Sequence, residues 1–352
     1  MSRNSAVGPL FVVGMWRSGT SLLYALLNQH PEVALMYESD LPLLRPLFHR
    51  GRKRVDWWKR WEFWNSAPSR HQLASCDAGS DDLRSTAEKA WKEYAGLATI
   101  YGDKSPNYYD SLRALAREFP NARFVVIWRD LHDICRSILE ARESSSFFSK
   151  RGIFCRAIVG YARLKSECNA LASLGVPLCQ IQYEELTKNP AEVMDSICRF
   201  LQIRFDGRMR ILDGADRSAI YKASHHRGVK GDAIVASARR DDVLPGKLRW
   251  KIDRYISYWQ GKTKVSWPRY PIPRTPNPKV AGSMERWWDA LCFHALRAFD
   301  KFTVLVYCYA PLRLLQAYRS SQAQPRAAAA VKAESPALAQ VSLQEADRVT
   351  HR

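Results

Sequence analysis

Phe11-Val12-Val13-Gly14-Met15-Trp16-Arg17-Ser18-Gly19-Thr20-Ser21-Leu22-Leu23 reads as an apolar strand, a loop bounded by two glycines, and a helix that starts at once. In such a loop the backbone N–H groups converge on one point, and the helix dipole adds positive potential there, so the expected occupant is an anion. Gly14 and Gly19 permit the tight path, and Ser18, Thr20 and Ser21 offer hydroxyl donors. The glycine spacing is that of the nucleoside-triphosphate loop G-x-x-x-x-G-K-[ST], but Thr20 stands at the lysine position. The cation has moved inside the loop, to Arg17, which suits a shorter anion than a triphosphate.

A second cluster lies further along. Ala122-Arg123-Phe124-Val125-Val126-Ile127-Trp128-Arg129-Asp130 is a buried-strand pattern with Arg129 at its carboxyl end, where ligands gather in open α/β sheets. Ser137 follows about two helical turns later, off the apolar stripe of Leu131, Ile134, Cys135, Ile138 and Leu139. An arginine and a hydroxyl so placed suit a second, separate phosphate.

Together, Arg17-Ser18-Gly19-Thr20-Ser21 with Arg129 and Ser137 resemble the sulfotransferases that use 3′-phosphoadenosine-5′-phosphosulfate, in their bacterial and tyrosylprotein-type branch. The likeness continues through Asp103-Lys104-Ser105-Pro106 and Tyr183-Glu184-Glu185-Leu186, and spans roughly residues 8–260. It implies that Arg17, Ser18, Gly19, Thr20 and Ser21 hold the 5′-phosphosulfate and that Arg129 and Ser137 hold the 3′-phosphate. Tyr183 is expected near the adenosine. It implies a P-loop-like three-layer α/β/α fold with a central parallel sheet, no metal, and a hydroxyl acceptor that is a carbohydrate, glycolipid, small alcohol or tyrosine. The family's proline before the loop arginine is Trp16 here, and Tyr37 replaces a second glutamate often found beside the first.

Sulfuryl transfer asks for cations at the developing charge and a base for the acceptor hydroxyl. Arg17 and Lys104 are the candidate cations, Lys104 because it follows a short strand ending in the same crevice. Glu38, in Met36-Tyr37-Glu38-Ser39, matches the position of the general base in the tyrosylprotein-type branch; its neighbours Met36 and Leu41 are apolar, and desolvation would raise its basicity. His30 is the next candidate. A late basic loop is expected over the 3′-phosphate, supplied by Arg227-Gly228-Val229-Lys230-Gly231 or by Ser237, Arg239 and Arg240.

Continuous apolar runs at Leu10–Val13, Thr99–Tyr101, Phe124–Trp128 and Leu178–Gln182 read as buried parallel strands, with helical crossovers between them. The expected organisation is a catalytic domain over 8–262, a Pro-rich basic linker over 263–282, a helical C-terminal extension over 283–319 and a disordered tail over 320–352. In residues 45–64, Trp57, Trp61 and Trp64 fall on one helical face, read first as a buried stripe, with sugar stacking or a membrane interface as functional alternatives. Trp288, Leu291, Ala295, Phe299 and Phe302 form another stripe, expected to pack in the core or at a homodimer contact; peripheral membrane contact stays open.

Composition sets the outer bounds. In 352 residues, 54 Lys and Arg against 35 Asp and Glu leave a net charge of +19, which favours anionic partners. The 8 cysteines are scattered, with no C-x-x-C pair, which speaks against a metal cluster or disulfide framework and for a reducing, cytoplasmic setting. No run approaches the roughly 20 apolar residues of a membrane span. Two rival classes remain: a small-molecule kinase, which should carry Lys at position 20, and a basic nucleic-acid-binding protein, for which no recognition motif is present.

Overall fold

The computed structural model describes residues 8–49, 52–73, 82–220, 229, 231–234, 244–262 and 282–318. Its sheet strands are β1 (Leu10–Gly14), β2 (Val33–Tyr37), β5 (Ile100–Lys104), β6 (Arg123–Trp128) and β7 (Leu178–Gln182), while β3 (Phe48–His49) and β4 (Arg52–Lys53) make a short antiparallel ladder. The helices are α1 (Thr20–Leu27), α2 (Trp57–Asn65), α3 (Ala67–Arg70), α4 (Leu83–Ala95), α5 (Leu112–Glu118), α6 (Leu131–Ala141), α7 (Ile153–Ser173), α8 (Tyr183–Lys188), α9 (Pro190–Leu201), α10 (Gly246–Lys262) and α11 (Ser283–Tyr309).

The main sheet runs β2-β5-β1-β6-β7, parallel throughout, with β1 in the middle. Alternate residues of the strands feed two separate cores. Phe11, Val13, Phe124 and Val126 point to one, shared with α4, α6 and α7; Leu10, Val12, Val125 and Ile127 point to the other, shared with α1 and α9. Residues buried on both faces explain why β1 and β6 read as unbroken apolar runs. Because β1 pairs with β5 on one side and β6 on the other, the crossovers diverge there, and a crevice opens at the carboxyl ends of the three strands.

The expected strands at β1, β6 and β7 stand. Two corrections apply. The strand expected over Thr99–Tyr101 runs over Ile100–Lys104, so Lys104 is its last residue rather than one that follows it. A fifth strand, β2, had not been anticipated; Val33-Ala34-Leu35-Met36-Tyr37 carries few β-branched residues, and its pairing with β5 supplies what propensity does not.

The first reading of the tryptophan stripe holds: Trp57 and Trp61 are buried in the main core, and Trp64 packs edge-on against Tyr307 of α11. That removes Trp57 and Trp61 from sugar stacking. Helix α11 lies along α7 and sends Phe293 and Cys308 into the same core as Phe11. Its other stripe, Trp288, Leu291, Ala295, Phe299 and Phe302, is exposed, which corrects the core-packing expectation and does not bear on the homodimer or membrane ones. The linker over 263–281 and the tail from 319 lie outside the described residues.

Candidate active site

Arg17 sits at the turn of the loop with a positive φ of 67°, and the loop ends at Gly19 with φ 102°. Leu23 N–H makes the first bond of α1, to Gly19 O at 3.0 Å, so the N–H groups of Thr20, Ser21 and Leu22 have no partner within the helix. Those three residues line a cleft of about 590 Å³ together with Arg17, Glu38 and Lys104. Neither glycine can be replaced freely. A Cβ on Gly14 would stand 2.4 Å from Ser18 Oγ, and one on Gly19 would stand 2.4 Å from Cδ2 of Tyr183.

Arg17 and Arg129 are drawn together here. Arg17 Nε donates to Ser137 Oγ at 2.9 Å, and Arg129 donates from NH1 to Arg17 O at 2.7 Å. The Arg129 guanidinium lies over the Tyr183 ring, 4.4 Å from its centroid. Burial, and then the charge of Arg129, push the Arg17 pKa down to about 10. Two crowded guanidinium groups over a helix start make a site that a multiply charged anion relieves.

Of the sequence-predicted residues, Arg17, Gly19, Thr20, Ser21, Glu38, Lys104, Arg129 and Tyr183 all line the one cleft, and Ser137 stands behind Arg17. Ser18 differs: it is fully buried and turned back under the loop, and its Oγ has no hydrogen-bond partner among the described residues. Val229 reaches the cleft wall; the rest of the expected basic loop, Arg227, Gly228, Lys230, Ser237, Arg239 and Arg240, lies outside the described residues.

The opposite wall is built around a corner after β2. Glu38 and Asp40 both take φ of 52°, and Glu38 N–H extends the β2–β5 ladder by bonding Lys104 O at 2.7 Å. The buried Asp103 carboxylate holds that corner, accepting from Ser39 N–H at 3.0 Å, Ser39 Oγ at 2.8 Å, Asp40 N–H at 3.3 Å and the Tyr108 hydroxyl at 2.5 Å. Asn65, at the end of α2, donates to the carbonyls of both Glu38 and Ser39. Asp40 in turn accepts from Ser105 Oγ and Asn107 Nδ2, and Asn107 Oδ1 takes the Trp16 indole N–H, which joins this corner to the phosphate loop. Burial, followed by the neighbouring Asp103 charge, raises the Asp40 pKa to about 7.

Lys104 is buried at the floor. Its Nζ bonds Glu38 Oε1 at 2.8 Å and Ser21 Oγ at 3.2 Å and lies 3.7 Å from the Tyr37 ring centroid. Burial works against its charge, but Glu38 and Tyr37 outweigh that and the pKa rises. Glu38 is half-buried and paired with Lys104, so the apolar side chains expected around it do not enclose it. His30 is set aside as a base, with Nε2 on Arg204 O and Nδ1 accepting from Glu32 N–H.

Asn65, Arg70, Asn107, Phe147 and Phe148 also line the cleft. Sequence reasoning missed them; Asn107 alone had a signal, next to the Asp103–Pro106 segment.

A family model described as the sulfotransferase family matches residues 9–207, more than half of the chain. The chain belongs to the sulfotransferase family. Protein-tyrosine sulfotransferase 1 of Danio rerio is 26% identical over 203 residues, covering 55% of this chain and 53% of that protein. Nodulation protein NoeE of Sinorhizobium fredii is 30% identical over 224 residues, covering 56% and 51%. This chain thus matches about half the length of either relative. Among solved structures, the sulfotransferase domain from the curacin biosynthetic pathway superposes with a TM-score of 0.51 at 18% identity, over 72% of this chain and 97% of that one, which shows the fold is shared. Family membership favours the sulfotransferase reading over the kinase one.

Proposed function

We propose that this sulfotransferase takes a sulfuryl group from 3′-phosphoadenosine-5′-phosphosulfate and passes it to a hydroxyl acceptor, with residues 8–262 as the catalytic unit. The observation that carries the reading is the facing of two walls across one cleft. Arg17, Arg129 and the α1 N–H groups make one wall, and the Glu38–Lys104 pair makes the other. The donor fits the first wall: the path through Gly14 and Gly19 leaves no room for a Cβ, and Arg17 and Arg129 crowd two guanidiniums beside the start of α1.

Arg17 with Gly19, Thr20 and Ser21 would hold the 5′-phosphosulfate, Ser18 supporting the loop from beneath; Arg129 and Ser137 would hold the 3′-phosphate, with Tyr183 beside the adenosine. The donor supplies the transferable sulfonate. Glu38 accepts the acceptor hydroxyl proton, and no described residue donates to its Oε2, which keeps that oxygen available. Lys104, fixed by Ser21 and Glu38, brings positive charge to the oxygens where charge builds during transfer.

The test is transfer of labelled sulfate from the donor with a metal chelator present, paired with calorimetric binding of 3′-phosphoadenosine 5′-phosphate. Glu38→Ala is expected to abolish turnover and to leave bisphosphate binding intact. Uptake of ATP with magnesium but not of the bisphosphate would overturn the reading, and full turnover in Glu38→Ala would move the base elsewhere.

A further inference from the structure

One surface of the molecule is left without a use by the cleft. Along the outer side of α11, Met284, Trp288, Leu291, Ala295, Ala298, Phe302, Leu305 and Tyr309 recur at three- and four-residue spacing, with Trp287, Phe299 and Val306 beside them, and all are exposed. At 1.5 Å per residue the stripe is about 40 Å long. Exposed apolar patches of this size mark contact with something. Among the exposed residues of α11 one is charged, Lys301. The acids of the helix are turned away and neutralised: Glu285 by Arg254, Asp289 by Lys251 and the Tyr255 hydroxyl, Asp300 by Arg156 and Arg297.

The border of the stripe is basic. Lys150 and Arg151 are exposed in the turn that meets α11 where Gly152 faces Leu296. Arg163 reaches His294, Arg286 lies over the Tyr258 ring, and Arg54 lies over Tyr309. An apolar face bordered by cations, with tryptophan at one end and tyrosine at the other, has the chemistry of a helix that rests in a lipid interface. None of the helices described is long and apolar enough to cross a membrane, which leaves a helix lying on one.

We propose that the outer face of α11 docks on an anionic lipid surface, with Trp287, Trp288, Leu291, Phe299 and Phe302 entering the acyl boundary and Lys150, Arg151 and Lys301 meeting the headgroups. Charge selects this occupant over a second copy of the chain, since a dimer across this face would bring two basic borders together in a protein that already carries +19.

The test is co-sedimentation of the full chain with vesicles of phosphatidylcholine alone and of phosphatidylcholine mixed with phosphatidylglycerol, together with quenching of tryptophan fluorescence by brominated acyl chains. Binding to the mixed vesicles, weakened by salt, and quenching on binding are expected. The double variant Trp288→Ser, Phe302→Ser should bind at least about tenfold more weakly, and Lys150→Glu with Arg151→Glu should erase the preference for the anionic lipid. If the apolar variant loses its circular dichroism, quenching in the unchanged chain decides. Absence of binding to mixed vesicles would overturn the proposal. So would a dimer in sedimentation equilibrium that the double variant dissociates, which would show a second copy covering the face.

Discussion

At one end of the cleft the lining groups come from a single short stretch, Trp16 to Leu22 with Ser18 turned under it, joined by Arg129 and Tyr183. At the other end, the corner that carries Glu38 is held by side chains from distant segments: Asp103 on β5, Asn65 on α2, and Asp40 through Ser105 and Asn107. The first wall rests on backbone path and helix start, which tolerate no added atom at the glycines. The second rests on a lattice of hydrogen bonds, which tolerates changes that preserve donors and acceptors. On the proposed function, anion binding and hydroxyl activation should therefore respond to different kinds of mutation.

The sharpest way to break that contrast is Arg17→Ala, since the proposed function asks Arg17 to serve the donor and the developing charge at once. A fall of about a thousandfold in kcat/KM is expected in the labelled-sulfate assay; a small loss would show that the helix start alone suffices. Gly19→Ala forces a Cβ against Tyr183 at a φ of 102° and should weaken 3′-phosphoadenosine 5′-phosphate binding by about ten- to a hundredfold in calorimetry. Arg129→Ala is expected to raise the KM for the donor by about tenfold while kcat changes little, which would separate holding from chemistry.

Asp40→Asn probes the other wall and carries the smallest effect. The folded protein holds the Asp40 proton more tightly than the unfolded chain does, so stability is fullest below about pH 4 and declines as the pH climbs to about 7. Asparagine keeps one oxygen to accept from Asn107 Nδ2, turns its amide NH2 to donate to Ser105 Oγ, and suits the left-handed backbone at φ 52°. The variant should gain about 1–2 kcal/mol at pH 8 in urea unfolding, and the gain should vanish near pH 4.

The same contrast governs what could be read in advance. Gly14 to Ser21 is contiguous, so its chemistry stands in the order of its residues, and Arg129 follows a strand whose burial is plain from composition. Asn65, Arg70, Phe147 and Phe148 reach the cleft by tertiary packing, and nothing near them in the chain marks them out. Helix α11 misled for a physical reason. Its inner face carries Asp289, Arg297 and Asp300, whose charges are satisfied by Lys251, Asp110 and Arg156. Buried ion pairs made the packed side look polar, and the outer stripe took the pattern of a core.

Asp103 never meets the cleft, yet it sets the direction of the carboxylate that does. Orientation and selectivity are thereby assigned to separate residues. Refitting this scaffold to a different acceptor would leave Asp103, Ser39 and Asn65 alone and redraw only Arg70 and Phe147 along the cleft.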